Sequence, residues 1–192
     1  MSIIGITGGI GSGKSYVCKL LEKQGIKVYD CDSAAKRLMA QDVELQQKLS
    51  VIVGDNIYYD GKLQKSVLAQ FLLQSDENKL AVDDIVHPAV ARDFLASGYS
   101  WLESAILFDS GFNYRLPFDY FVAVTAPVEL RISRIMHRDS ISREQAMAWI
   151  DRQMPQDEVS QLCNFVINND GHKDLNSQIN QLIIQIKKFI NF

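Results

Sequence analysis

The chain has 192 residues, enough for one sizeable core with appended subdomains. Hydrophobic residues make up 47% and charged residues 22%, the balance of a globular protein rather than a disordered or fibrous one. A formal net charge of −3 excludes a global basic field for nucleic acid or an anionic membrane, so a polyanionic ligand must be held by local positive groups.

The N-terminal run MSIIGITGG leads straight into a strand and a glycine loop and leaves no room for a cleavable leader. Over the first 32 residues the pattern is strand SIIGIT, loop GGIGSGKS, helix YVCKLLEKQG and strand IKVYDCD, a βαβ opening. Val17, Leu20 and Leu21 form the apolar stripe of that helix, and Gly25 stops it after Gln24. From Ser33 to Gly98 the pattern is helical, with a turn at YYDGKL supplied by Asp60 and Gly61 and no parallel strand.

Apolar runs at Trp101 to Phe108, Tyr120 to Ala126 and Phe165 to Ile167 predict three more strands. Between the last two, helical patterns flank a polar break at HRDSIS, where Ser142 is placed to cap the second helix. The final helix, Leu175 to Ile190, repeats apolar residues at Leu175, Ile179, Leu182, Ile183, Ile186 and Ile190 and is expected to pack on the sheet. Five strands alternating with helices predict an α/β fold with a parallel, doubly wound sheet. Cys18, Cys31 and Cys163 lack metal-site spacing and are expected as reduced, mostly buried thiols in a cytoplasmic protein. No apolar stretch approaches the ~20 residues that cross a bilayer.

Gly8-Gly9-Ile10-Gly11-Ser12-Gly13-Lys14-Ser15 fits G-x-x-x-x-G-K-[ST] and lies between a predicted strand and a predicted helix, the context that gives the motif meaning. Its glycines let backbone N–H groups turn inward around phosphate oxygens at a helix N-terminus. Lys14 is placed to bridge the β- and γ-phosphates and the Ser15 hydroxyl to ligate Mg²⁺. The same cradle serves kinases, GTPases and motor ATPases, so the acceptor needs other residues.

Asp30 and Asp32 stand two apart at the end of the second strand, which in extended backbone points both to one side about 7 Å apart. Beyond the carboxyl end of such a strand they suit activation of a hydroxyl acceptor; a helix cap and a lysine pair are the structural alternatives. Further on, Arg131, Arg134 and Arg138 share a helical side next to the apolar face of Val128, Ile132, Ile135 and Met136, with Arg143 and Arg152 beyond. They suit a mobile lid over transferring phosphates, or else a solvated face paired with Glu129, Asp139 and Glu144. His137 reads as a surface residue.

Taken together the chain resembles the dephospho-CoA kinase family. ITGGIGSGKS, VYDCDSAAKRL, VGDNIYYDGKLQKSVL, DDIVHPAV, AILFDSGF, VAVTAPVELRISRIMHRDSISREQA and VINNDG follow that family's pattern in order over nearly the whole length. The resemblance implies a P-loop nucleotide-kinase-like fold in one domain. Its core would span about 1–32, 99–137 and 156–192, with a helical acceptor subdomain over about 33–98 and a lid over about 138–155.

It further implies ATP as co-substrate with Mg²⁺, bound through Gly9, Gly11, Ser12, Gly13, Lys14 and Ser15, with Tyr16 and Arg134 beside them and Asn169 of the loop Asn168 to Gly171 near the adenine. Asp32 becomes the base toward the ribose 3′-hydroxyl of dephospho-CoA, Asp30 its neighbour, Arg138 the lid arginine and His87, before Pro88, a border of the acceptor pocket. As sequence alone, that loop is also an ordinary turn, a histidine before a helix-breaking proline is structurally unremarkable, and Tyr16 can simply pack.

Three positions depart from the family pattern: Tyr16 stands where threonine is usual, Ala105 replaces a proline, and Asp109 replaces a glutamate, ending an apolar strand with one methylene less reach toward a Mg²⁺-bound water. The partners implied are small molecules, with no nucleic acid and no membrane, for a monomer or small homo-oligomer. Another nucleoside or nucleotide kinase of the same architecture is the alternative enzyme; a GTPase switch would need an N-K-x-D element that the final third lacks.

Overall fold

The structure is a computed structural model that describes residues 2–190, the side chain of Ile190 lying outside that description. In chain order the first half comprises β1 (Ile3–Thr7), α1 (Lys14–Lys23), β2 (Val28–Asp30), α2 (Cys31–Gln41), α3 (Val43–Val53), β3 (Tyr58–Tyr59), β4 (Lys62–Leu63), α4 (Lys65–Gln74) and α5 (Asp76–Ser97). The second half comprises β5 (Trp101–Glu103), β6 (Phe118–Thr125), α6 (Val128–Asp139), α7 (Arg143–Asp151), α8 (Gln156–Gln161), β7 (Phe165–Asn168) and α9 (Leu175–Ile190). Two compact units result, one running to Tyr29 and resuming at Tyr99, the other spanning Asp30–Gly98.

The first unit is built on a five-stranded parallel sheet of order β2-β5-β1-β6-β7. β1 lies at its centre, aligned through Ile4 with Trp101 on one side and Tyr120 on the other. All five β1 residues are buried, as expected of a strand covered on both faces. Ile4 and Ile6 meet Val17 and Leu21 of α1, Val122 and Val124 of β6, Ile167 of β7, and Ile179, Leu182 and Ile186 of α9 in one core. Leu175 and Ile183 pack at its margin, so the predicted apolar repeat is the face that α9 lays on the sheet; Ile190 falls outside the described side chains. Gly25, at φ +82°, ends α1 where the sequence places the stop.

One strand is shorter than its apolar run predicts. Trp101 to Phe108 reads as a single strand, but β5 stops at Glu103, and after Ser104 donates to the Ile6 carbonyl at 3.0 Å the chain turns. Ser110 and Gly111 N–H groups close turns on Ile106 and Phe108 carbonyls, and Gly111 takes φ +65°. Leu107 is still fully buried, so hydrophobicity marks burial here while the backbone leaves the ladder.

In the second unit α5 packs against α2, α3 and α4, burying Val82, Val86, Ala89, Val90 and Phe94 along one face. The only strands described there are the antiparallel pair β3 and β4, joined through Asp60 at φ +49° and Gly61 at φ +69°, the left-handed pair that a two-residue hairpin demands. Pro88 does not break its helix: α5 continues through it to Ser97. Burial of Val86, Ala89 and Val90 on either side offsets the ~3 kcal/mol that an interior proline costs.

Candidate active site

The glycine loop leaves β1 and turns into α1 at Gly13. Gly11 and Gly13 adopt φ +79° and +86°, conformations that favour glycine, and both are also closed off from behind. A Cβ on Gly11 would stand 2.7 Å from the Arg131 carbonyl oxygen, and one on Gly13 would be built inside the Asn169 side-chain amide. The Ser12 N–H closes a tight turn on the Gly9 carbonyl at 3.1 Å, and the N–H groups of Tyr16 and Val17 return to Gly13. Among the described residues no protein acceptor is matched to the N–H groups of Gly11, Gly13 and Ser15, so these donors are free to serve an anion. Ser15 and Tyr16 are exposed, whereas Ser12 is buried with its Oγ unpartnered among the described residues.

Lys14 is buried and its ammonium pairs with the carboxylate of Glu103, the last residue of β5 and equally buried. The neighbouring Cys18 thiol lies 4.0 Å from the same carboxylate. Sequence reasoning did not select Glu103, although an acid inside the apolar run WLESAILF was the available signal: a carboxylate at that depth needs a cation. Asp109, which the longer strand would have placed at a strand end, instead lies in the turn beyond and accepts the Met154 N–H at 2.6 Å.

Two of the α6 arginines reach the loop. Arg131 is buried, and its Nε donates to the Ile10 carbonyl at 2.9 Å; desolvation lowers its pKa from the usual arginine value. Arg134 donates from Nη1 to the carbonyls of Gly11 and Ser12 at 3.2 and 3.1 Å, and from Nη2 to the Asn169 carbonyl and Oδ1 at 3.2 and 3.3 Å. The side-chain amide of Asn169, itself buried, donates to the Ser12 carbonyl at 2.8 Å, while its N–H is spent on Thr125. Arg134 and Asn169, expected beside the nucleotide, hold the carbonyl side of the loop, which leaves its N–H side for ligand.

Arg138 is not part of this bracing. Seven residues beyond Arg131 it is about 10 Å further along the helix axis, and it pairs with Asp139 at 2.7 Å on the exposed side. Arg143 likewise pairs with Glu129 at 2.7 Å, so in this structure both arginines meet two of the acids named for a solvated face, and His137 is exposed as expected. Ser142 caps α7 in a full capping box with Gln145.

The two acids after β2 do not share a strand face. β2 ends at Asp30, whose carboxylate accepts the Ser33 N–H at 2.9 Å and the Ser33 hydroxyl at 2.7 Å, and this cap turns the chain into α2 before Asp32. Asp32 is exposed in the first turn of that helix. His87 lies inside α5 with its side chain 12% exposed and its Nε2 3.5 Å from Asp83. Among the described residues no cluster of three or more His, Cys, Asp or Glu is built to hold a metal.

A parallel sheet with its central strand feeding a glycine loop, a lysine at the start of the following helix, and side chains bracing that loop define a P-loop phosphate-binding protein, and its solved neighbours have P-loop kinase folds. The family model described as Dephospho-CoA kinase matches residues 2–174. A dephospho-CoA kinase from Bacteroides fragilis is 40% identical, over 98% of this chain and 95% of that one. Among solved structures, a Thermus thermophilus protein superposes with a TM-score of 0.79 at 32% identity, covering 96% of each chain. Dephospho-CoA kinase from Campylobacter jejuni shares the fold, with a TM-score of 0.66 at 23% identity over 97% of each. This chain belongs to the dephospho-CoA kinase family, whose enzymes phosphorylate dephospho-CoA to coenzyme A, the last step of coenzyme A biosynthesis, with ATP as co-substrate.

Proposed function

We propose that this chain moves the γ-phosphoryl group of ATP onto the ribose 3′-hydroxyl of dephospho-CoA, releasing ADP. The observation that carries the phosphate half of the reading is the loop itself: N–H donors of Gly11, Gly13 and Ser15 are left for phosphate oxygens while Arg131, Arg134 and Asn169 brace its carbonyls, and the family match supports the acceptor. Lys14 follows the charge that develops on the β- and γ-phosphates, exchanging the carboxylate of Glu103 for phosphate oxygens. Asp32 takes the proton of the 3′-hydroxyl as its oxygen bonds to phosphorus and the bridge to the β-phosphate breaks. Asp30 positions the start of α2 through its cap, and His87 borders the acceptor pocket.

Mg²⁺ fits this donor set. The exposed Ser15 hydroxyl and the Glu103 carboxylate are the groups that would hold it, in keeping with an ion bound by few protein oxygens together with substrate phosphates. When bound it neutralises developing phosphate charge. Arg138 closes over the phosphates from a lid formed by residues 138–155, residues 33–98 bind the acceptor, and Tyr16 lines the nucleotide site. We further read the protein as cytoplasmic and as a monomer or small homo-oligomer whose partners are these small molecules rather than nucleic acid or membrane. No helix among the described residues is long and apolar enough to cross a membrane.

The test is turnover with ATP and Mg²⁺, offering dephospho-CoA in one reaction and nucleoside monophosphates in another. Product from dephospho-CoA alone is expected; product only from the monophosphates would overturn the reading. Lys14→Ala should abolish turnover, and an active variant would remove Lys14 from the phosphate site.

A further inference from the structure

The loop motif leaves its third residue unspecified, yet here that residue, Ile10, is held from several sides. Its N–H donates to Gln153 Oε1 at 2.7 Å, and its carbonyl accepts from Arg131 Nε at 2.9 Å. Its side chain packs on Ile132, Ile135 and Ala146, a small apolar cluster of α6 and α7 apart from the main core. Gly9 must be small for this to happen, since a Cβ there would stand 2.5 Å from Arg131 Nη2 and 3.0 Å from Gln153 Oε1. Gln153 belongs to the linker between α7 and α8, and that linker is pinned again one residue later where Met154 donates to Asp109.

We propose that Gln153 is a positioning residue for ATP binding. By accepting the Ile10 N–H it fixes that peptide against Arg131, and so presets the direction in which the N–H groups of Gly11, Gly13 and Ser15 face the phosphates. Gly9 and Gly11 flank Ile10 with wide backbone freedom, so a peptide released at this point can rotate, and the preorganisation of every donor after it is lost. The same bond ties the loop to the end of α7, which makes nucleotide binding and the placement of that helix one coupled event. The inference rests on the ATP-dependent kinase reading and adds to it the device that holds the cradle in register.

Gln153→Met keeps length and bulk in a half-buried linker and removes the carboxamide whose oxygen accepts the Ile10 N–H. The expected result is an ATP dissociation constant, measured by calorimetry without acceptor substrate, that rises about tenfold, the loss of roughly one net hydrogen bond. The KM for ATP should rise with it, while kcat and the KM for dephospho-CoA stay within about twofold and amide exchange at Ile10 quickens. Unchanged ATP affinity and unchanged Ile10 exchange would overturn the proposal. A parallel loss on both substrates with a lowered thermal midpoint would also overturn it, since that pattern reports structural support alone. Because the binding measurement omits the acceptor, the inference can fail in an enzyme that turns over dephospho-CoA, and it stands if the acceptor proves to be another alcohol.

Discussion

Replacing Glu103 by glutamine keeps its volume and a hydrogen bond to Lys14 but takes away the counter-charge of a buried ammonium. Both side chains of the pair are only 9% exposed, so water cannot compensate, and breaking such a pair costs about 3 kcal/mol or more. With an unfolding entropy of ~2.1 cal/mol/K per residue, the 192-residue chain loses about 0.4 kcal/mol per degree near its midpoint, so Tm should fall by about 7 °C. Calorimetry of Glu103→Gln, Lys14→Met and the double variant supplies the check. The double variant should lose at least about 2 kcal/mol less than the two single losses combined, because neither charge is then left alone. Saturating ATP should recover part of the Glu103→Gln loss by giving Lys14 another anion, the stabilisation growing with ligand concentration. A Glu103→Gln midpoint within about 2 °C of the parent, or strict additivity, would refute the buried-pair account.

Gly13→Ala and Gly25→Ala separate collision from backbone strain. Both glycines have φ above +80°, so each alanine costs about 1–2 kcal/mol, but Gly25 has open space around its Cβ position whereas Gly13 faces Asn169. Urea denaturation should show Gly13→Ala the more destabilised and only that variant impaired for ATP; equal losses would remove the Asn169 contact from the argument. Ser142→Ala deletes the capping box of α7 and should cost about 1 kcal/mol, seen as faster amide exchange at the start of α7 with β1 unchanged. Burial pushes the Cys163 thiol up to about 12, so at pH 8 it stays protonated and should resist iodoacetamide until denaturant is added. Rapid stoichiometric alkylation of Cys163 in the folded protein would contradict that.

The phosphate loop was legible because its chemistry is local: glycine φ angles, a helix start and a lysine all lie within eight consecutive residues. Helix periodicity likewise placed α9 to the residue and gave Ser142 its cap. What escaped depended on partners far along the chain. Glu103 and Lys14 are 89 residues apart, and nothing in WLESAILF alone says which cation meets the acid. Arg134 and Asn169 were selected for the right neighbourhood, but their bonds to the loop carbonyls were not legible, because spacing gives a helix face and not the group it touches. The Asp30 to Asp32 spacing misled for a local reason. The first acid caps a helix and thereby ends the extended backbone on which their common direction relied.

α9 carries a consequence for where the fold ends, which the loop motif does not set. The family match ends at residue 174, immediately before the helix that covers the core with Ile179, Leu182 and Ile186. At about 1.5–3 kcal/mol for each buried aliphatic side chain, those three supply about 5–9 kcal/mol, comparable with the ~5–15 kcal/mol that keeps a whole domain folded. A polypeptide trimmed at residue 174 would therefore keep every residue of the phosphate loop and lose the roof over its sheet. What is required of the last sixteen-residue helix is only that bulky apolar groups return at intervals of three and four, a demand that many unrelated sequences meet. The fold thus asks of this helix a pattern more than particular residues, and cannot do without it.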